Sequence, residues 1–165
     1  MEFFPGEIKP LDNIDVKIIK LLQKNARITA SDIAAEISLS VPAVSERLKK
    51  LESSGVISQY TAIIEPGHLK KDLTTIMFVS LERPRFIDRF IEFVNNEDEI
   101  LECHYLAGDF DYALKIITQN TVSLESLLNR IKSLQGVQKT RTVVVLSTVK
   151  NNHSVSPDTI EGSEK

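Results

Sequence analysis

Cations follow small and polar residues in the segment Val41–Lys50, where Arg47, Lys49 and Lys50 outnumber the one acid, Glu46. An arginine can donate two parallel hydrogen bonds to guanine or bind a phosphate, and lysines suit phosphates. Small leading residues let a helix approach base edges without steric conflict. The segment therefore offers the chemistry of double-stranded DNA recognition. The candidate contact residues are Ser40, Pro42, Ala43, Ser45, Glu46, Arg47, Lys49 and Lys50.

A turn within the segment Cys103–Tyr112 offers a second chemistry, because Gly108 is followed there by Asp109 and Asp111. The free backbone N–H groups of such a turn can bind a carboxylate, and the two acidic side chains can receive an ammonium group. This combination suits a free amino acid. In the alternative interpretation, commoner for an isolated motif of this kind, the aspartates only accept hydrogen bonds from the amides of the turn.

Residues that could support catalysis do not form a pattern. The three histidines His68, His104 and His153 lie too far apart in the sequence to propose a metal site from spacing. Cys103 and His104 are neighbours in a predicted strand, which places their side chains on opposite faces and excludes a nucleophile–base pair. No glycine-rich phosphate loop is present. We therefore predict no enzyme, no metal, no catalytic residue and no cofactor.

Three short helices position the cationic segment. Apolar residues recur at helical spacing from Leu11 to Asn25, again in residues 29–37, and again from Val41 to Ser53. Asp12, Thr29 and Ser40 are the predicted N-caps of these helices. A tight connection between the second and third helix is typical of a helix-turn-helix, whose third helix enters the major groove. The alternative is a three-helix bundle whose outer face is merely solvated.

The pattern changes after Gly55. Residues 56–64 read as two short strands, and the remaining elements follow the order β-α-β-β-α-β of a ferredoxin-like sandwich. We thus predict an α+β protein, with an N-terminal winged helix-turn-helix and a C-terminal ferredoxin-like βαββαβ sandwich. The predicted boundaries are 1–65 for the DNA-binding domain, 66–73 for a linker, 74–150 for a ligand-sensing and oligomerisation domain, and 151–165 for a disordered tail.

The strands of the sandwich carry apolar side chains on both faces, for example around Val79 and Val144, which is more than a monomer needs. Pairing of two copies through the sheet is the economical explanation. A two-fold dimer would also place two recognition helices about one DNA turn apart, roughly 34 Å.

Composition and charge set the frame for these elements. The chain has 165 residues, 42% of them hydrophobic, and a net charge of −3, which taken alone argues against a nucleic-acid ligand. By region, residues 1–60 carry 8 basic and 8 acidic residues, while Val41–Lys50 has a net charge of +2. One helical module should bind phosphate weakly, so useful affinity requires several copies. The single cysteine, and the lack of a bilayer-spanning run or a secretory leader, predict a cytoplasmic protein without a membrane partner.

Three segments resemble one known family. The stretch SDIAAEISLSVPAVSERLKKLESSGVISQYTAII is similar to the DNA-binding module of Lrp/AsnC (leucine-responsive, or feast/famine) regulators. ECHYLAGDFDYALK and GVQKTRTVVVLSTVK resemble the sensor module of the same family. The resemblance covers about residues 11–150, with both modules in the family's order. It implies a transcription regulator that dimerises through the sheet, often assembles further to octamers, and binds a small effector, usually an amino acid, between dimers.

The resemblance also suggests site residues. Ser45, Arg47 and their neighbours match the recognition helix. The effector residues that we carry over are Leu106, Ala107, Gly108, Asp109, Asp111, Thr140 and Thr142. An alternative function is an amino-acid-sensing oligomer without direct DNA binding, in which the helices serve protein contacts.

Overall fold

The computed structural model describes residues 10–157. Residues 1–9 and 158–165 lie outside the described part, and so does the end of the predicted disordered tail. No helix in residues 10–157 is long and apolar enough to cross a membrane.

Two compact units make up the chain. One contains the chain up to Ala62 together with the chain from Asn151 onward, and the other contains Ile63–Lys150. The described beginning of the predicted tail, residues 151–157, therefore groups with the helical unit.

The helical unit contains α1 (Asn13–Lys24), α2 (Ala30–Ile37) and α3 (Val41–Ser53). Each helix begins at the predicted cap. The side chains of Asp12 and Thr29 accept the backbone N–H of the third helical residue within a reciprocal capping box, and the Ser40 side chain accepts the N–H of Ala43. The short turn after α2 is closed by a hydrogen bond from Leu39 N–H to the carbonyl of Ala34, 3.0 Å long. The buried core of the unit consists of Ile18, Ile33, Ala34, Val44 and Leu51.

Residues 56–64 do not form the two predicted short strands. The segment has no strand pairing in the described chain, and most of it is exposed, including Tyr60, Ile63 and Ile64. The first half of the segment is fixed to α3, because Ile57 N–H donates to the carbonyl of Leu51 and Tyr60 Oη donates to Glu52 Oε1. An extended segment becomes a strand only when a neighbour satisfies its backbone groups, and none does so here.

The sandwich unit confirms the predicted β-α-β-β-α-β order. Its strands form one antiparallel sheet in the order β2-β3-β1-β4, and two helices cover one face. The elements are β1 (Leu73–Leu81), α4 (Ile87–Asn95), β2 (Ile100–Tyr105), β3 (Tyr112–Thr118), α5 (Thr121–Lys132) and β4 (Val137–Val144). Short 3-10 helices at Pro66–Leu69 and Pro84–Phe86 precede β1 and α4.

The core of the sandwich lies between the sheet and the two helices. Its fully buried residues include Met77, Val79, Leu114, Ile116 and Leu127. Within residues 10–157, no helix lies over the opposite side of the sheet, which we call its outer face.

The final strand is short. The composition of residues 137–149 predicts a strand over this whole range, but β4 ends at Val144, because its partner β1 begins at Leu73 and offers only one further contact, the carbonyl of Thr74 to Val145 N–H. Beyond that point Leu146 and Val149 are almost completely exposed.

Gly136, just before β4, is fixed by geometry. Its φ is +94°, and a Cβ there would lie 2.2 Å from the ring of Phe86. Only glycine tolerates both conditions, so this residue fixes the tight approach of the α5–β4 turn to the segment before α4.

Candidate functional site

The outer surface of α3 presents five of the eight predicted DNA-contact residues to solvent. They are Pro42, Ser45, Glu46, Lys49 and Lys50. These positions recur at helical spacing, so they share one side of the helix, opposite to the buried Val44 and Leu51. The surface combines small side chains near the start of α3 with two cations further along.

Ser40 and Ala43 have local structural roles at the beginning of α3. The Ser40 hydroxyl caps the helix by accepting the Ala43 N–H at 3.4 Å, and Ala43 itself is half-buried. The Ser45 hydroxyl is exposed and donates to the carbonyl of Val41 at 3.0 Å. A hydroxyl that donates keeps its lone pairs, so the Ser45 oxygen is still able to accept from a ligand.

The structure directs the Arg47 side chain toward the beginning of α1 rather than along the exposed side of α3. Its Nη1 lies 2.7 Å from Asp12 Oδ2 and 2.6 Å from Asp15 Oδ1. The Asp15 side chain is only 7% exposed and that of Arg47 27%. The guanidinium therefore joins α3 to the beginning of α1, and the same two carboxylates form the capping box of α1.

Electrostatics around Arg47 favour the charged forms. Desolvation raises the pKa of the Asp12 carboxyl, but hydrogen bonds from Asp15 N–H and from Arg47 outweigh it, and the net pKa is lowered. The pKa of Arg47 is raised, chiefly by its hydrogen bond to Asp12 against a desolvation that lowers it. Arg47, Asp12 and Asp15 thus form one ion cluster between α3 and the beginning of α1.

The sequence predicts Asp12 only as a helix cap, without a link to Arg47. The periodicity of α3 does contain the missing information, since position 47 lies three residues after Val44 and four before Leu51, on the edge of the buried stripe. Two carboxylates in one cap also need a cation nearby, which makes a half-buried arginine a natural partner.

The loop between β2 and β3 uses Asp111 to fix its own shape. One carboxylate oxygen of Asp111 accepts the Leu81 N–H at 2.7 Å. The Asp111 backbone N–H donates to Val79 and its carbonyl accepts from Leu106. These contacts fit the alternative interpretation of this residue, in which the carboxylate satisfies backbone amides.

Asp109 and Gly108 are arranged differently. Both are exposed, as is Ala107, while Leu106 is half-buried. The backbone carbonyl of Asp109 accepts from the Ser80 hydroxyl at 3.4 Å, which leaves the carboxylate at the surface. Gly108 has no positive φ, and an added Cβ would meet no atom within 4 Å. The fold of this unit does not require a glycine there.

Thr140 and Thr142 lie on β4, which β1 separates from β3. Thr140 pairs with Val79 and Thr142 with Met77, and both threonines are half-buried. Since Val79 also accepts the N–H of Asp111, Thr140 lies across β1 from the loop, at the same end of the sheet. Thr142 lies two residues further along β4.

A charged group on the outer face of β2 and β3 was not predicted. Glu102 lies 2.7 Å from Lys115 Nζ and 3.2 Å from His104 Nε2. The hydrogen bond from Lys115, then that from His104, lowers the pKa of Glu102. Burial raises the pKa of the Cys103 thiol, which keeps it protonated. No group of three or more His, Cys, Asp or Glu residues in the described chain is arranged to hold a metal ion.

A helix-turn-helix followed by a ferredoxin-like sandwich defines a class of DNA-binding regulators with a separate ligand domain. Residues 11–58 match the family model described as winged helix-turn-helix DNA-binding, and residues 74–155 match the Lrp/AsnC ligand binding domain. The chain belongs to the Lrp/AsnC family of transcription regulators. These matches confirm the predicted fold class and the prediction of a transcription regulator of the Lrp/AsnC type.

Named relatives and solved structures agree with this membership. The leucine-responsive regulatory protein of Haemophilus influenzae is 38% identical over 148 residues, which cover 88% of this chain and 89% of that protein. The one of Escherichia coli K12 is 37% identical, with 90% and 92% covered. A transcriptional regulator of Neisseria meningitidis, solved as an L-Met complex, has a TM-score of 0.84 at 30% identity, covering 88% of this chain and 96% of that one. LrpA of Mycobacterium tuberculosis has a TM-score of 0.78 at 30% identity, with 89% and 100% covered.

Proposed function

We propose that the exposed side of α3 enters the major groove of DNA. Pro42, Ser45 and Glu46 are the candidates for contacts with base edges, because they are exposed in the first half of the helix. Lys49 and Lys50 are the candidates for phosphate contacts. Arg47 acts as a brace that holds α3 against α1. The proposal rests on the exposure of small and cationic side chains along one side of a capped helix that follows a tight turn.

The two groups of contacts differ in an observable way. Replacing Ser45 or Glu46 by alanine should change the preference among DNA sequences, since base contacts carry specificity. Replacing Lys49 or Lys50 should weaken binding to all sequences about equally. Fluorescence anisotropy with the upstream region of its own gene and with a scrambled duplex measures both effects. Equal loss on both duplexes for all four variants would remove Ser45 and Glu46 from base recognition.

We infer that the effector is a free amino acid and that it binds at the loop of residues 106–111. The Asp109 carboxylate is exposed and suits the ammonium group, and the backbone N–H groups around Gly108 suit the carboxylate. Because the fold of this unit does not require a glycine at position 108, we take the glycine there to allow a ligand to approach the backbone closely. Thr140 and Thr142 complete the proposed set with hydroxyl groups. The L-Met complex of the Neisseria regulator supports an amino acid as the chemical class.

A thermal-shift screen of the twenty amino acids tests this site. At least one should raise the midpoint of unfolding of the wild type, because a ligand that binds only the native state stabilises it. Asp109→Ala should abolish that rise with little change in the unliganded midpoint. A full response in Asp109→Ala would remove this residue from the site.

We propose that two copies pair through the outer face of the sheet. Ile76, Phe78 and Val143 share this face according to the strand register, and no helix covers them. Phe110 packs against Phe78 at 5.6 Å between ring centroids, which extends the apolar area to the effector loop. Further assembly to an octamer, with the effector between dimers, is the arrangement that the resemblance implies. Analytical ultracentrifugation of Ile76→Lys should give a monomer; an unchanged mass would place the interface elsewhere.

Two further parts of the proposal follow from the class of protein. We assign the chain a regulatory role without catalysis, in keeping with the regulators that it resembles. We also place it in the cytoplasm, where it meets both DNA and free amino acids.

A further inference from the structure

An apolar groove lies in the helical unit, between α1 and the residues that follow α3. Its volume is about 490 Å³. The walls are formed by half-buried or exposed apolar side chains of these two segments. They are Leu11, Ile19, Leu22, Val56, Ile57 and Tyr60. None of these residues belongs to the candidate DNA contacts or to the candidate effector site.

The C-terminal segment, residues 151–157, forms a further wall of this groove. His153, Ser154, Val155 and Pro157 line the groove together with its walls. Gln23 Nε2 donates to Ser154 Oγ and to the carbonyl of Val155, each at 2.7 Å. One amide of α1 therefore fixes the backbone and a side chain of the segment at the same time.

The attachment is light, which indicates a reversible contact. Pro157 is half-buried, whereas the side chain of Val155 is 89% exposed. Two exposed hydrogen bonds and one proline ring contribute little compared with a buried core. Open space therefore remains between the segment and the apolar side chains that it faces.

The wall opposite α1 is attached to α3. Ile57 N–H donates to the carbonyl of Leu51, and Tyr60 Oη donates to Glu52 Oε1 at 3.1 Å. Leu51 and Glu52 follow directly on Lys49 and Lys50. A contact that holds residues 56–60 in place therefore also restrains the end of α3 that carries the two exposed cations.

We propose that the C-terminal segment is a docked brace of the helical unit, which orders residues 56–60 and thereby prepares α3 for DNA. The chain enters this segment directly from Lys150, the last residue of the sandwich unit. The ligand-binding unit thus has a second covalent connection to the helical unit, besides the one at Ala62. A preorganised binding surface loses less conformational entropy on binding, so docking strengthens DNA affinity. The DNA part of this inference rests on the proposed role of α3.

Two truncations of the full chain test the proposal. A protein that ends at Lys150 lacks the docked segment, whereas one that ends at Pro157 keeps it and serves as the matched control. In hydrogen exchange, the Lys150 truncation should lose protection in residues 18–24 and 56–60, and the Pro157 truncation should keep it. Fluorescence anisotropy should show roughly three- to tenfold weaker DNA binding for the Lys150 truncation and an unchanged affinity for the control.

A point variant separates the loss of the docked contact from a general effect of shortening the chain. Gln23→Ala removes both hydrogen bonds to the segment and should reproduce part of the loss of protection, while Lys24→Ala, on the next residue of α1, should not. Equal protection in both truncations would overturn the docking.

A different result would identify electrostatics as the effect of the tail. Residues 158–165 contain Asp158, Glu161 and Glu164 against Lys165, so a tail that merely repels DNA would make both truncations bind more tightly. That result would also overturn the proposal. If no variant binds DNA although protection changes as expected, the proposed role of α3 fails and the docking stands.

Discussion

Arg47 in the helical unit and Asp111 in the sandwich are both charged residues within candidate ligand sites, and the fold holds both of them, but with different partners. Arg47 pairs with two carboxylates, Asp12 and Asp15. Asp111 accepts a backbone N–H from Leu81. Their neighbours Lys49 and Asp109 are exposed.

This difference separates residues that build a site from residues that can bind a ligand. When one partner of an ion pair is buried, removing the other destabilises the fold strongly, because a buried charge is left uncompensated. Removing a carboxylate that accepts one backbone N–H in a half-buried loop destabilises the fold less. Removing an exposed charge nearby changes stability hardly at all. Substitutions of residues that build a site should therefore change stability. Substitutions of residues that can bind a ligand should change binding alone.

The largest difference in stability is expected between substitutions of two glycines, Gly136 and Gly108. Gly136→Ala should destabilise the sandwich by about 3–4 kcal/mol, because a positive φ and overlap with Phe86 act together. Gly108→Ala should stay within about 0.5 kcal/mol, since its added Cβ meets open space. Urea denaturation of both variants measures the contrast. A similar loss in both would mean that Gly108 is needed by the fold after all.

The ion cluster gives the next largest effect. Arg47→Met keeps much of the side-chain volume but leaves Asp15 buried without its cation, so the helical unit should lose about 2–3 kcal/mol. Lys49→Met is the matched control and should change stability by less than about 0.5 kcal/mol. Thermal unfolding followed by circular dichroism resolves the two. Lost DNA binding with unchanged stability in Arg47→Met would return this residue to the list of DNA contacts.

Substitutions in the loop of residues 106–111 should have a smaller effect on stability. Asp111→Ala removes the acceptor for Leu81 N–H and should cost about 1.5–2 kcal/mol. Asp109→Ala should cost almost nothing in the absence of ligand. Chemical denaturation without added amino acids tests this. If Asp109→Ala were the more destabilising variant, the assignment of the two aspartates would be reversed.

Acid should weaken the helical unit through Asp12. Its pKa is lowered in the folded protein, so its contribution is complete above the unfolded value near 3.8 and is lost as pH falls through the folded pKa. Titration between pH 5 and 2.5 should show this loss in the wild type and a flatter profile in Asp12→Asn. Identical profiles would exclude Asp12 as a source of the acid sensitivity.

Local features were predictable from the sequence, and long-range ones were not. The caps Asp12, Thr29 and Ser40 act within three residues of themselves, so their chemistry is visible in the chain. The spacing of α3 places position 47 at the edge of the buried stripe, but the positive charge of Arg47 favours the prediction of a DNA contact. The bond from Leu81 to Asp111 spans 30 residues and depends on how β1 meets the loop.

Strand lengths show the same limit. Residues 56–64 and 146–149 have the composition of strands, yet no neighbouring strand in the described chain pairs with them. Strand propensity describes a fit to a sheet that tertiary structure has to provide.

The central claim is that the exposed side of α3, with Lys49 and Lys50 but without Arg47, contacts DNA phosphates. The most direct test measures DNA affinity from 50 to 200 mM salt for the wild type and for the double variant Lys49→Ala/Lys50→Ala, with Lys132→Ala in α5 as the control. The slope of log affinity against log salt should become shallower by about 1.8 per bound helical unit in the double variant and stay unchanged in the control. An unchanged slope in the double variant would contradict the account.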